Sequence, residues 1–159
     1  MVCIDMDIRR ATLEDAEAAC GVIRRSIADL CELDHHGDPT TIERWLANKT
    51  PENVATWIGA AGNIVLVAID GGAILGVAAM TSIGHVTLNY VSPDHRFRGV
   101  SKALLESLEG EAIKLGLRQL SLHSTKTARR FYRAAGFVEK PDATRPDDIY
   151  MVKTIGVSP

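Results

Sequence analysis

Aromatic residues make up only 5% of the 159-residue sequence, and there are just three cysteines, Cys3, Cys20 and Cys31. They are odd in number and form no C-x-x-C, and no cysteine–histidine spacing matches a zinc site. This excludes a disulfide framework and leaves reduced thiols in a reducing compartment as the expectation, with no bound metal. Charge of one sign is also scarce: the net charge of −2 gives a nucleic-acid partner no electrostatic footprint and a membrane surface no basic face. The longest apolar run, Ile64–Ile69, is far too short to cross a bilayer. Met1–Arg10 alternates charged and apolar residues, where a signal peptide would carry a continuous apolar stretch. A cytoplasmic protein is expected. What remains is an ordinary globular balance, 46% hydrophobic and 24% charged, in a chain of one-domain length (1–159) that can bury its own core.

No repeat, low-complexity tract or interior linker is present. Ile4–Arg10 reads as a short strand. Thr12-Leu-Glu-Asp15 has the form of a capping box ahead of a helix whose apolar residues run from Ala16 to Leu30. Asp34–Pro39 is a polar turn, Thr40–Glu43 a second capping signature, and Thr50-Pro51 a third helix start. Trp45 and Trp57 fall on the apolar faces of these helices. The middle of the chain predicts a three-stranded antiparallel meander: Ile64–Ile69, a hairpin at Asp70-Gly-Gly72, Ile74–Met80, a turn at Ser82–Gly84, and His85–Val91. A helix over Ser101–Leu115 closed by Gly116, a strand over Leu117–His123, a helix over Lys126–Ala135 closed by Gly136, and strands Phe137–Glu139 and Ile149–Thr154 follow. Pro141–Asp148 is a loop. The sum is an α+β (α/β sandwich) fold, with a mixed, mostly antiparallel sheet of six or seven strands and helices on both faces.

The densest chemistry lies where the strand ending at Val91 hands over to the helix near Ser101. A helix start offers unpaired N–H groups and the positive end of the macrodipole, which together suit a diphosphate. Gly99 and Ser101 permit close backbone approach; Arg96 and Arg98 add charge at the mouth. Lys102 stands in the first helical turn, where a cation opposes the dipole unless an anion is near. The P-loop and the three-glycine dinucleotide fingerprint are both absent. Taken alone, the turn reads equally well as an ordinary basic strand–helix loop.

Arg96-Phe-Arg-Gly-Val-Ser101 resembles the Q/R-x-x-G-x-G/A motif of the GNAT (Gcn5-related N-acetyltransferase) superfamily, and Asn89–Pro93 looks like that family's fourth strand. Thr127–Phe137 is similar to its A-x-x-F-Y-x-x-x-G-F signature, and the N-terminal half resembles a bacterial subgroup of small members. The resemblance implies that the backbone of Asn89, Tyr90 and Val91 binds the pantetheine and thioester of acetyl-CoA. It implies further that the backbone of Phe97, Arg98, Gly99, Val100, Ser101 and Lys102 holds the diphosphate. Thr125 stands where many relatives carry a cofactor-binding asparagine, and Tyr132 would protonate the departing thiolate. The motif departs from the family at Ser101, which is neither glycine nor alanine. The fifth strand, Gln119–His123, lacks the glutamate base of some relatives.

His123 alternates with Leu120 and Leu122 and should face away from them; it is a possible base, though a merely satisfied histidine is the plainer reading. His85, Thr87 and Asn89 would share one strand face lining the acceptor cleft. His35 and His36 lie in the loop that often shapes the acceptor site in such proteins, and a metal role for the pair is weak. Arg129, Arg130 and Arg133 read as a solvated face. The expectation is an acetyl-CoA-dependent N-acetyltransferase acting by direct attack of a primary amine on a small molecule or peptide, as monomer or homodimer. The alternative is a catalytically weak acyl-CoA-binding or sensing module.

Overall fold

The computed structural model describes residues 6–156, so Cys3 and the first part of the predicted N-terminal strand lie outside the described residues. Seven strands form one sheet in the order β1-β2-β3-β4-β5-β7-β6. They are β1 (Asp7–Arg10), β2 (Asn63–Asp70), β3 (Ala73–Thr81), β4 (His85–Val91), β5 (Gln119–Ser124), β6 (Val138–Glu139) and β7 (Ile149–Thr154). Every pairing is antiparallel except β4 with β5. The helices are α1 (Ala16–Leu30), α2 (Glu32–His35), α3 (Pro39–Leu46), α4 (Pro51–Gly59), α5 (Val100–Lys114) and α6 (Arg129–Ala134).

Local signals set most boundaries. Thr50 Oγ1 accepts from the Asn53 N–H at 3.1 Å and Pro51 opens α4, as the sequence predicts. The cap of α3 is Asp38, not Thr40: its carboxylate accepts from the Thr41 N–H at 3.0 Å, because Pro39 occupies the first helical position. Asp15 accepts from the Thr12 N–H at 2.7 Å, but Leu13–Asp15 is a 3-10 turn and α1 begins only at Ala16. Helix α6 is shorter than the predicted Lys126–Ala135, since Thr125 Oγ1 already binds the Ala128 N–H.

The sheet separates two cores. Helices α1 and α4 pack on Val65, Val67, Val77, Ala79 and Leu88. Helix α5 packs on the other face, on Leu66, Ala78, Met80, Val86, Leu120 and Leu122. Val86 and Leu88 differ by two yet lie in opposite cores. The register explains it: Met80 pairs with Val86 but Ala79 with Leu88, so Thr87 is an extra residue, a β-bulge. The bulge reverses which face each residue takes. His85 and Asn89 therefore do not share a face, contrary to the even alternation assumed from sequence. Beyond the bulge β4 also leaves β5, with which it pairs only at His85↔Ser121 and Val86↔Leu122.

Helix α5 is seated by Gly76 of β3. A Cβ there would lie 2.8 Å from Val100 Cγ1, 2.9 Å from Leu104 Cδ1 and 3.0 Å from the Tyr90 carbonyl oxygen. Gly76→Ala is expected to cost roughly 1–3 kcal/mol, seen as a lower melting temperature, because backbone and helix must both give way. A second test concerns Asp15, whose carboxyl is lowered to about 2, first by its hydrogen bond with Arg9 and further by Thr12. Its depressed value means the contribution to stability is present above the ordinary carboxylate range and lost as pH falls toward about 2. With Arg9 largely exposed the pair contributes about 1 kcal/mol at most. Asp15→Asn should lower the melting temperature by roughly 3 °C at neutral pH. The gap to wild type should close in acid.

Candidate active site

The start of α5 carries no side-chain cap and no acid in its first turn; Gly99 is the N-cap, at φ +79°. The Val100, Ser101 and Lys102 N–H groups thus have no partner within the helix. Glycine is needed at that φ, and Phe97 is held at φ +63°, rare for a side chain of its size. Phe97 stands 90% exposed with the Arg96 guanidinium 4.2 Å from its ring centre. The turn opens onto a cleft of about 550 Å³. Arg96, Phe97, Gly99, Val100, Ser101 and Lys102 all line it; Arg98 does not.

From the turn the cleft runs between the diverging strands, past Asn89, Tyr90, Val91 and Thr125. Past Val86, the edge of β4 that faces β5 has no strand partner among the described residues. Asn89 Oδ1 is buried there without a hydrogen-bond partner among the described residues. Thr125 lines the wall, but its hydroxyl is engaged in holding the Ala128 N–H. Tyr132, 7% exposed, projects from α6 between Phe131 and Phe137, with ring centres 5.1 and 5.5 Å away. Burial pushes its hydroxyl up to about 12, with the neighbouring Asn89 pulling the other way, so it is a neutral proton donor at physiological pH. Burial likewise raises Tyr90.

His123 lines the cleft from the other side of the sheet. As expected from its alternation with Leu120 and Leu122, it faces away from the α5 core. Its ring packs on His85 at 5.2 Å and Tyr150 at 5.1 Å, and Nε2 lies 2.9 Å from Asp142 Oδ2. His85 Nδ1 meets Ser121 Oγ at 2.9 Å; burial, then the nearby His123 and Arg145, lower its proton affinity. Sequence reasoning missed Asp142, which stands 19 residues from His123 in a loop that reads only as polar.

His35 does not shape the cleft. It is 2% exposed, with Nδ1 accepting the Gly37 N–H at 3.0 Å and Nε2 donating to the Ile27 carbonyl at 2.8 Å. Both nitrogens are spent on closing the α1–α2 corner. His36 is exposed, in the left-handed residue that ends α2. Instead, Ser26, Leu30 and Cys31 at the end of α1 form the cleft wall. Burial pushes the Cys31 thiol up to about 12, which keeps it protonated. Asp34 reaches across the chain: its carboxylate accepts from the Lys126 N–H at 2.7 Å, the Thr127 N–H at 3.0 Å and the Thr127 hydroxyl at 2.6 Å. Trp45 and Trp57 pack on the α1 core, and Arg129 and Arg133 pair with Glu139 on the surface. Among the described residues no cluster of three His, Cys, Asp or Glu is placed to hold a metal ion, and no helix is long and apolar enough to cross a membrane.

No curated protein matches the sequence. Solved structures do. The GCN5-related N-acetyltransferase from Rhodopseudomonas palustris is 25% identical, with a TM-score of 0.85 over 98% of this chain and 99% of that one. The PaiA N-acetyltransferase from Thermoplasma acidophilum, in complex with coenzyme A, is 20% identical, with a TM-score of 0.82 over 95% and 99%. The ribosomal-protein-S18-alanine N-acetyltransferase from Escherichia coli is 21% identical, with a TM-score of 0.67 over 97% and 96%. The family model of the acetyltransferase (GNAT) domain matches residues 33–153, most of the chain, and the protein therefore belongs to the GNAT acetyltransferase family.

Proposed function

We propose that the chain transfers an acetyl group from acetyl-CoA to a primary amine by direct attack, both substrates being held at once. The observation that carries this reading is the continuity of one cleft. It leads from the uncapped start of α5, along the unpaired edge of β4, to Tyr132 on one face of the sheet and His123 on the other. The residues fit the coenzyme: free N–H groups beside Gly99 suit its diphosphate, and the orphaned Asn89 Oδ1 suits an amide donor of its pantetheine. Bound acetyl-CoA would supply an activated thioester.

The protein's own part is positioning, charge stabilisation and proton transfer. Backbone N–H groups of β4 donate to the thioester carbonyl oxygen as it gains charge. His123 takes a proton from the attacking amine. Tyr132 gives its hydroxyl proton to the sulfur as the carbon–sulfur bond breaks, so protons balance. A covalent route through Cys31 is disfavoured by its protonated thiol. The acceptor is a small-molecule or peptide amine, as for the aminoglycoside 6'-acetyltransferase type Ii, which is 20% identical with a TM-score of 0.65. Action in the cytoplasm as one N-acetyltransferase domain, monomeric or dimeric, completes the reading. The absence of an acid in β5 favours a second one, an acyl-CoA-binding or sensing module.

Release of CoA from acetyl-CoA with a panel of amines separates the two: tight binding with no release on any amine overturns the enzyme. Tyr132→Phe should lower kcat at least about tenfold while calorimetry shows acetyl-CoA affinity within about twofold of wild type. Gly99→Ala meets open space, so only its φ of +79° is penalised. Its acetyl-CoA affinity should fall about fivefold, the equivalent of about 1 kcal/mol.

A further inference from the structure

The loop Pro141–Asp148 leads into β7 and does more than connect. It delivers two side chains of opposite character to the same imidazole. Asp142 Oδ2 lies 2.9 Å from His123 Nε2, and an Arg145 guanidinium nitrogen lies 3.4 Å from Nδ1. A guanidinium only donates, so the nitrogen it meets must carry the lone pair. In the neutral ring this arrangement puts the proton on Nε2, donated to Asp142. The carboxylate is itself fixed: Oδ1 accepts the Thr144 N–H at 3.0 Å and the Thr144 hydroxyl at 2.7 Å. These bonds, that with His123 foremost, hold Asp142 well below the usual carboxylate range. His85 from β4 and Tyr150 from β7 pack against the other sides of the ring, and Arg145 is tied back to Asp148. At 3.4 Å the Arg145 contact is the weaker of the two.

We infer that Asp142 is a positioning residue for acetyl transfer: it fixes His123 in the Nε2–H tautomer, so that Nδ1 is the nitrogen that takes the proton of the acceptor amine. This rests on His123 acting as the base. The role is distinct from holding the loop, and a near-isosteric change separates the two. In Asp142→Asn the Thr144 N–H and hydroxyl still require an oxygen facing them. The introduced carbonyl takes that place, and the introduced NH2 group points at His123 Nε2. The ring must then accept at Nε2 and carry its proton on Nδ1, which removes the base lone pair.

The test is a nitrogen-15 NMR spectrum of histidine-labelled full-length protein, recorded on the neutral ring, together with steady-state kinetics. The expected result is a proton on Nε2 in the wild type and on Nδ1 in Asp142→Asn. Turnover should fall at least about a hundredfold while KM for acetyl-CoA stays within about twofold. Asp142→Ala, which removes the partner without inserting a donor, should give a mixture of tautomers and a smaller loss. A proton already on Nδ1 in the wild type overturns the inference. So does one that stays on Nε2 in Asp142→Asn, or unchanged turnover despite an inverted tautomer. His123→Gln separates the levels. An inactive His123→Gln beside a fully active Asp142→Asn removes the role of Asp142 alone, whereas wild-type turnover in His123→Gln removes the base and Asp142 with it.

Discussion

One extra residue in one strand, Thr87, governs the architecture of the cleft. The bulge it makes in β4 reverses the strand's two faces and parts β4 from β5. Without the parting, the backbone groups of Asn89–Val91 on the edge toward β5 would be spent on a second strand ladder. Without the reversal, His85 and Asn89 would share one face, and one of them would be turned away from its present neighbours. As built, Asn89 turns toward Tyr132, and His85 toward His123 and Ser121. A gap in a sheet is costly, because unpaired backbone groups must find partners. A gap that opens into a solvent-filled cleft leaves them available to a ligand.

The two faces of the sheet then divide the chemistry. On the α5 side lie the uncapped helix start and Tyr132, whose hydroxyl burial holds above its ordinary range. The opposite side supplies His123, in a partly exposed polar group with Asp142, Arg145, His85 and Tyr150. The buried hydroxyl and the polar histidine cluster thus sit on opposite faces of the same part of the sheet. Seating α5 directly on Gly76 keeps the helix start in register with the strands it serves.

Much of this was legible in the sequence because it is encoded locally. Gly99 at a helix start, Thr50-Pro51, and Asp70-Gly-Gly72 each bias a few dihedral angles, and the structure obeys them. The walls at Arg96, Phe97, Gly99–Lys102, Thr125 and Tyr132 follow from such segments. What stayed hidden depends on pairing between distant segments. Alternation assumes an unbroken register, so the Thr87 bulge inverts His85 relative to Asn89 with no mark in the residue types. Asp142 meets His123 only because β5 and β7 pair, Tyr150 lying opposite His123. His35 read as a residue of the loop that often shapes the acceptor site, yet both its nitrogens close the corner between α1 and α2.

The carboxylate of Asp34 has a consequence for how the protein comes to be functional. It binds the backbone of Lys126 and Thr127 across 92 and 93 residues of sequence, joining the end of the first helical layer to the start of α6. Closing a loop of that length costs more chain entropy than closing a short one. The cleft is therefore braced between two segments far apart in the chain. A chain cut before α6 would lack Phe131 and Tyr132, and with them one wall of the cleft.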